Sequence, residues 1–190
     1  MAIRQPRPAP RPAGASRYHG SRMTEAEYLA LPEEKPYLEY VDGVVLQKPM
    51  PDDAHAALVA ELAFAFGQYR RTHGGRVRVE MRSRLAGGAY RLPDASYFAA
   101  HRRGGDDSLP SVAVEVRSPG QTMAELREKC RAFRRSGVPT RWLIDPERRS
   151  VELFESDRDG VELAADGTLV SVEMPGFALP LPELFAVLDN

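Results

Sequence analysis

The run Val112-Ala113-Val114-Glu115-Val116 limits the folds open to this chain more than any other stretch. A short unbroken apolar run suits a strand covered on both faces, which requires a sheet with layers packed on each side. A lone glutamate in such a strand is costly unless a cation or hydrogen-bond donors reach it. Ser118-Pro119-Gly120 ends the run, and Thr122 caps a helix expected to reach about Ser136, with Met123, Leu126, Cys130 and Phe133 along its apolar line. Gly137 closes that helix, and another strand follows from Thr140 to Ile144, ending at Asp145-Pro146.

Upstream, the pattern Tyr37-Leu38-Glu39-Tyr40-Val41, Asp42-Gly43, Val44-Val45-Leu46 predicts a β-hairpin with a two-residue type I′ turn. Asp52 or Asp53 can cap a helix to about Thr72, with His55, Val59, Leu62, Phe66 and Tyr69 along one face. The alternation that follows predicts one long strand. It puts Val77, Val79, Met81, Ser83 and Leu85 on one face and Arg76, Arg78, Glu80, Arg82 and Arg84 on the other, almost a guanidinium ladder. Gly87-Gly88 turns the chain into a second strand from Tyr90 to Phe98, containing Pro93-Asp94. After a charged loop from His101 to Ser108 and the central elements, a hairpin near Val151 to Phe154 and a terminal helix near Glu183 to Leu188 complete the order. Thr24 and Glu27 form a capping-box pair, so a single domain is expected over residues 23–190. Residues 1–22, with prolines interleaved among arginines, are expected to be a disordered tail.

Composition narrows the function classes. No apolar run approaches the roughly 18 residues of a transmembrane helix, so no membrane partner is expected. The single cysteine, Cys130, leaves no internal disulfide and no multi-cysteine zinc site, which favours a reducing cytoplasm. The formal net charge of −1 by itself argues against a polyanionic partner, yet residues 70–103 hold nine arginines against Glu80 and Asp94. Such a patch suits phosphates or a merely solvated face, and charge alone does not choose between them.

Several motifs in order carry a resemblance: the Glu39 hairpin, His55 opening its helix, Arg91-Leu92-Pro93-Asp94, Val114-Glu115-Val116-Arg117-Ser118-Pro119, Glu128-Lys129, and Gly137-Val138 leading to Trp142-Leu143-Ile144-Asp145-Pro146. Together they resemble the Uma-two-type restriction-endonuclease family of the PD-(D/E)XK nuclease superfamily over about residues 23–188. The resemblance implies an α/β fold with a restriction-endonuclease-like core: a central mixed sheet flanked by helices, with an added N-terminal hairpin and C-terminal hairpins. It also implies a Mg²⁺-dependent DNA endonuclease, with Mn²⁺ as a substitute and a homodimer suited to cutting both strands.

Phosphodiester hydrolysis needs charge neutralised on the phosphoryl oxygens and a hydroxide-like nucleophile, and a carboxylate-held Mg²⁺ serves both needs. Asp94 and Glu115 are the candidate ligands, with the Val116 carbonyl as a third. Asp94 as a turn residue and Glu115 as the partner of an arginine remain open. The superfamily lysine normally stands two residues after the glutamate. Arg117 is there instead, and the resemblance points to Lys129 on the following helix. Lysine is scarce, since only Lys35, Lys48 and Lys129 stand among the 26 basic residues, which favours a role for Lys129 over a surface pair with Glu125. Glu39 is either an additional acid of the site or a solvent-facing hairpin residue. His55 is either a phosphate contact or a hydrogen-bonded core residue. Arg76, Arg78, Arg82, Arg84 and Arg117, with Arg102 and Arg103, are candidate nucleic-acid contacts. The alternative function is a nuclease-like fold that binds nucleic acid or dimerises without cutting. A carbohydrate hydrolase is disfavoured because Trp142 is the only tryptophan.

Overall fold

The computed structural model describes residues 14–100, 109–155 and 158–189. In chain order the elements are α1 (Glu25–Leu29), β1 (Leu38–Val41), β2 (Val44–Gln47), α2 (Asp53–His73), β3 (Arg76–Val79), β4 (Ser83–Arg84), β5 (Tyr90–Arg91), β6 (Ala95–Phe98), β7 (Val112–Val116), α3 (Met123–Arg135), β8 (Thr140–Asp145), β9 (Ser150–Phe154), β10 (Asp159–Glu162), β11 (Thr168–Leu169), β12 (Leu179–Pro180) and α4 (Leu181–Ala186). The main sheet has six strands in the order β10-β9-β8-β7-β6-β3. Its β7–β8 pair is parallel, and α3 makes the crossover such a pair requires. The other pairings of that sheet are antiparallel, so it is mixed, as expected.

Strand β7 is buried along its whole length, as its apolar run predicts. Successive side chains point to opposite faces. Val112, Val114 and Val116 join Trp142, Ile144 and the α2 residues Leu58, Leu62 and Phe66 in the larger core. On the other face Ala113 packs with Phe133 and Val138, and Leu143 packs with Leu126, Cys130 and Phe154, all under α3. Glu115 therefore faces α3. That helix has the expected Thr122 cap and buries Leu126, Lys129, Cys130 and Phe133, so a lysine lies on its apolar stripe. Among the described residues no helix is long and apolar enough to cross a membrane.

A second sheet has four strands in the order β2-β1-β5-β4. Its β1–β2 hairpin turns at Asp42 (φ 50°) and Gly43 (φ 79°), the positive angles a type I′ turn demands. Tyr28 of α1, Leu38, Tyr40, Val45 and Tyr90 form its core.

Two strand expectations need correction. The segment 76–85 is not one strand, because Glu80 adopts φ 49° and ends the pairing of β3 with β6; after the bend, β4 pairs with β5 in the second sheet. Segment 90–98 divides in the same way, β5 lying in the second sheet and β6 in the main one. Pro93, with no N–H to give a ladder, stands at that joint. The guanidinium ladder is thereby broken: Arg76 and Arg78 stay on the main sheet while Arg82 and Arg84 follow the second.

Within the expected N-terminal tail, residues 1–13 lie outside the described residues. The segment 16–22 does not behave as a tail. The Gly20 amide donates to the Val45 carbonyl at 2.8 Å and the Val45 amide to the Ser21 carbonyl at 2.9 Å, so it lies along the outer edge of β2. The last helix starts at Leu181, two residues earlier than expected, and a 3₁₀ turn over Val187–Asp189 continues it.

Candidate active site

The site lies where the two sheets meet. Strand β1 contributes Glu39, the segment after β2 contributes Lys48, and the first turn of α2 contributes His55. The Glu80 bend and the Pro93-Asp94 joint add two more acids, while β7 and α3 supply Glu115 and Lys129.

Two buried ammonium groups organise these residues. Lys129 Nζ stands 2.7 Å from Glu39 Oε1 and 2.9 Å from Glu115 Oε2, and donates to the Leu92 carbonyl at 3.1 Å. Lys48 Nζ stands 2.6 Å from Asp94 Oδ1 and 3.2 Å from Glu80 Oε1, and donates to the same Leu92 carbonyl at 3.2 Å. Each ammonium, with three protons to give, thus has three oxygens around it. Leu92 is also tied through its amide, which donates to Glu39 Oε1 at 2.9 Å, and Arg91 donates to Glu39 Oε2 at 2.6 Å. The Val116 amide donates to Asp94 Oδ2 at 2.7 Å, which locks that carboxylate onto β7.

Burial and charge set opposite protonation tendencies in neighbouring acids. Burial alone would raise Glu39, but Lys129, Arg91 and Lys48, with the Leu92 amide, outweigh it and hold the carboxyl at about 2. Asp94 is likewise lowered, because Lys48 and Lys129 overcome its burial. For Glu115 burial wins, aided by the nearby charges of Asp94 and Glu39, and its pKa is pushed up to about 8 despite Lys129. Both lysines resist the downward pull of burial and are raised by the acids around them, so they stay charged.

A narrow crevice opens onto this cluster, lined by Lys48, Pro49, Pro51, His55, Glu80, Asp94, Glu115, Ser118 and Gln121. Lys129 stands behind Glu115, outside that lining. Glu115 Oε1 is buried with no hydrogen-bond partner among the described residues. An unpaired buried carboxylate oxygen beside a second carboxylate fits a hard divalent cation. Among the described residues no three His, Cys, Asp or Glu side chains converge as a ready-made cage. Two carboxylates with the remaining positions left to water suit Mg²⁺ better than Zn²⁺ or Ca²⁺.

Of the residues singled out from sequence, Glu39, His55, Asp94, Glu115, Val116 and Lys129 come together. Glu39 is buried rather than solvent-facing, and Lys129 turns away from the Glu125 pairing, since the Glu125 carboxylate closes the Thr122 capping box. His55 is buried, with Nδ1 2.9 Å from Ser118 Oγ and Nε2 3.7 Å from Asp94 Oδ1. The arginines do not gather at the crevice. Arg76 lies over the Phe98 ring, Arg78 bonds the Val77 carbonyl, Arg82 lies over the Tyr28 ring, and Arg84 pairs with Glu25 at 2.9 Å. Arg117 is engaged by Asp145 at 3.1 Å and by Glu147. Arg102 and Arg103 lie outside the described residues. Lys48 and Glu80 were missed. The scarcity of lysine that drew attention to Lys129 applied equally to Lys48; no comparable sequence signal marked Glu80.

A family model described as Uma2, "Putative restriction endonuclease", matches residues 25–185. The crystal structure of a "putative nuclease belonging to DUF820" from Anabaena variabilis ATCC 29413 superposes with a TM-score of 0.79 at 26% identity, over 87% of this chain and 99% of that one. A DrdV–DNA complex solved by cryo-electron microscopy overlaps only slightly, with a TM-score of 0.40 at 13% identity over 55% of this chain and 9% of that one. No curated protein matches the chain.

Proposed function

The chain belongs to the Uma2 restriction-endonuclease family, and from that premise we propose that it is a Mg²⁺-dependent endonuclease acting on DNA, with Asp94 and Glu115 as the residues that would hold the ion. The observation that carries this reading is the buried Glu115 Oε1, without a hydrogen-bond partner among the described residues, in the same crevice as Asp94. When bound, the ion supplies a Lewis acid for the phosphoryl oxygens and a water of lowered pKa.

The remaining work belongs to the chain. The Val116 amide and the stiff strand beneath it aim Asp94. Glu39 and the Leu92 carbonyl fix Lys129, which in turn fixes Glu115. A carboxylate positioned through two shells of contacts loses little freedom when a cation arrives. Lys129, kept charged by the acids around it, also places a positive charge behind the site, where it opposes negative charge building on the phosphoryl group. Arg76 and Arg78, on the edge strand β3 of the main sheet, are the candidate phosphate contacts of that sheet. A twofold dimer would let two such sites address the two strands of a duplex.

The test is cleavage of supercoiled and linear DNA by purified protein in Mg²⁺, Mn²⁺ or EDTA. Nicking should require the metal, and Asp94→Asn or Glu115→Gln should each reduce it at least about a hundredfold. A folded protein that never cuts, yet binds DNA in a salt-sensitive way that survives both substitutions, would replace this reading with that of a binding module.

A further inference from the structure

Lys48 lies in the crevice wall with its ammonium 2.6 Å from Asp94 Oδ1, and its side chain is 9% exposed. A cation held by Asp94 and Glu115 would compete with that ammonium for Asp94, because Oδ1 already faces Lys48 and Oδ2 already accepts from the Val116 amide. Lys129 poses no such conflict, since it approaches Glu115 from behind through Oε2 and leaves Oε1 to the crevice. The two lysines therefore differ in kind: one supports a ligand from the rear and the other occupies a ligand from the front. Glu80 gives Lys48 a second acid at 3.2 Å, and Glu80 is the more exposed of the two, with 33% of its side chain open against 3% for Asp94.

We infer that Lys48 is a built-in placeholder for the divalent cation: its ammonium neutralises Asp94 while the metal is absent and must leave Asp94 Oδ1, towards Glu80 at the crevice mouth, when the metal binds. Among the described residues four carboxylates, Glu39, Glu80, Asp94 and Glu115, share three cations, Lys48, Lys129 and Arg91. Without Lys48, Asp94 would be a buried anion with neutral donors alone in hydrogen-bond reach, which is expensive. The same ammonium opposes an incoming cation both by occupying an oxygen and by like-charge repulsion at short range. Lys48 thus sets the metal affinity of the resting protein and makes loading an exchange of one cation for another.

This inference rests on the metal site proposed above, and the experiment separates the two. Mn²⁺ and Mg²⁺ affinities are measured by calorimetry for the wild type, Lys48→Met, Lys48→Gln, Asp94→Asn and a control at the exposed third lysine, Lys35→Met. Lys48→Met should bind Mn²⁺ at least about tenfold more tightly than wild type, and Lys48→Gln should also gain, while Lys35→Met is unchanged. Binding that is equally tight in Asp94→Asn overturns the metal site itself. Binding that is lost in Asp94→Asn but not tightened in either Lys48 variant overturns the placeholder alone. Should the Lys48 variants not fold, the wild type still decides. With three lysines in the chain, ¹³Cε-lysine labelling yields three resolvable signals. The Lys48 signal should shift at saturating Mg²⁺ as its ammonium leaves Asp94, with Lys35 as the unmoved reference. A Lys48 signal unchanged at saturation refutes the displacement.

Discussion

Glu115→Gln should stabilise the metal-free protein at neutral and alkaline pH while removing the cation site. The substitution keeps shape and an oxygen for Lys129 but removes a charge whose burial is poorly compensated, since one of its oxygens has no partner among the described residues. Burial raises the Glu115 pKa from the ordinary 4.5 to about 8, so the folded state holds this proton more tightly than the unfolded state. The contribution to stability is then fully present below pH 4.5 and is lost as pH rises through 8. At about 1.4 kcal/mol per tenfold change in protonation ratio, the loss is about 3 kcal/mol at pH 7 and about 5 kcal/mol at pH 9. Glu39 and Asp94 titrate in the opposite sense at acid pH, but they are common to both proteins and largely cancel in the difference. Urea unfolding in EDTA at pH 5, 7 and 9 measures it directly. The two proteins should be nearly equal at pH 5, and Glu115→Gln should be more stable by an amount that grows with pH. A variant less stable than wild type at pH 9, or a difference that does not change with pH, would refute the claim that Glu115 carries a desolvation cost.

Three further outcomes follow from other parts of the molecule. Lys129→Met leaves Glu39 and Glu115 facing each other without their shared cation and should cost about 3 kcal/mol at pH 8.5, less at pH 5 where Glu115 takes up a proton, by the same urea titrations. Gly75→Ala should be destabilising by at least about 2 kcal/mol, because Gly75 has φ 84° and an added Cβ would sit 2.5 Å from the Tyr97 hydroxyl and 2.6 Å from the Phe98 carbonyl; thermal melting compares it with Gly87→Ala, where φ is also positive but nothing lies within 4 Å. Cys130 is fully buried and burial pushes its thiol pKa well up, so a thiol reagent at pH 8 should label the protein only as it unfolds; labelling at the rate of a free thiol would contradict this packing.

Much of the site was legible in the chain because its parts announce themselves locally. A glutamate inside an apolar strand advertises a missing partner, and the resemblance and the scarcity of lysine single out Lys129, whose place on the buried stripe of its helix the structure shows. The hairpin turn at Asp42-Gly43, the Thr24–Glu27 capping box and the Thr122 cap depend on neighbours in sequence, so they too could be read directly. The guanidinium ladder shows where such reading stops. Alternation over 76–85 sorts side chains onto two faces only while the backbone stays extended, and the φ of 49° at Glu80 interrupts it. Nothing local demands that bend; it exists because β3 pairs with β6 and β4 with β5, in different sheets.

The sequence by itself therefore determined the doubly covered strand with its lone glutamate, the capped helix that follows it, and the order of motifs whose resemblance to a nuclease family points to Asp94, Glu115 and Lys129. The strand and the helix depend on burial patterns and spacings that short-range chemistry enforces. Only the tertiary structure decided that Lys48 and Glu80 enter the same cluster, and that the arginines divide between two sheets. Those outcomes depend on which strands find each other, a choice made by long-range pairing and by the need of the buried carboxylates Glu39, Asp94 and Glu115 for nearby cations.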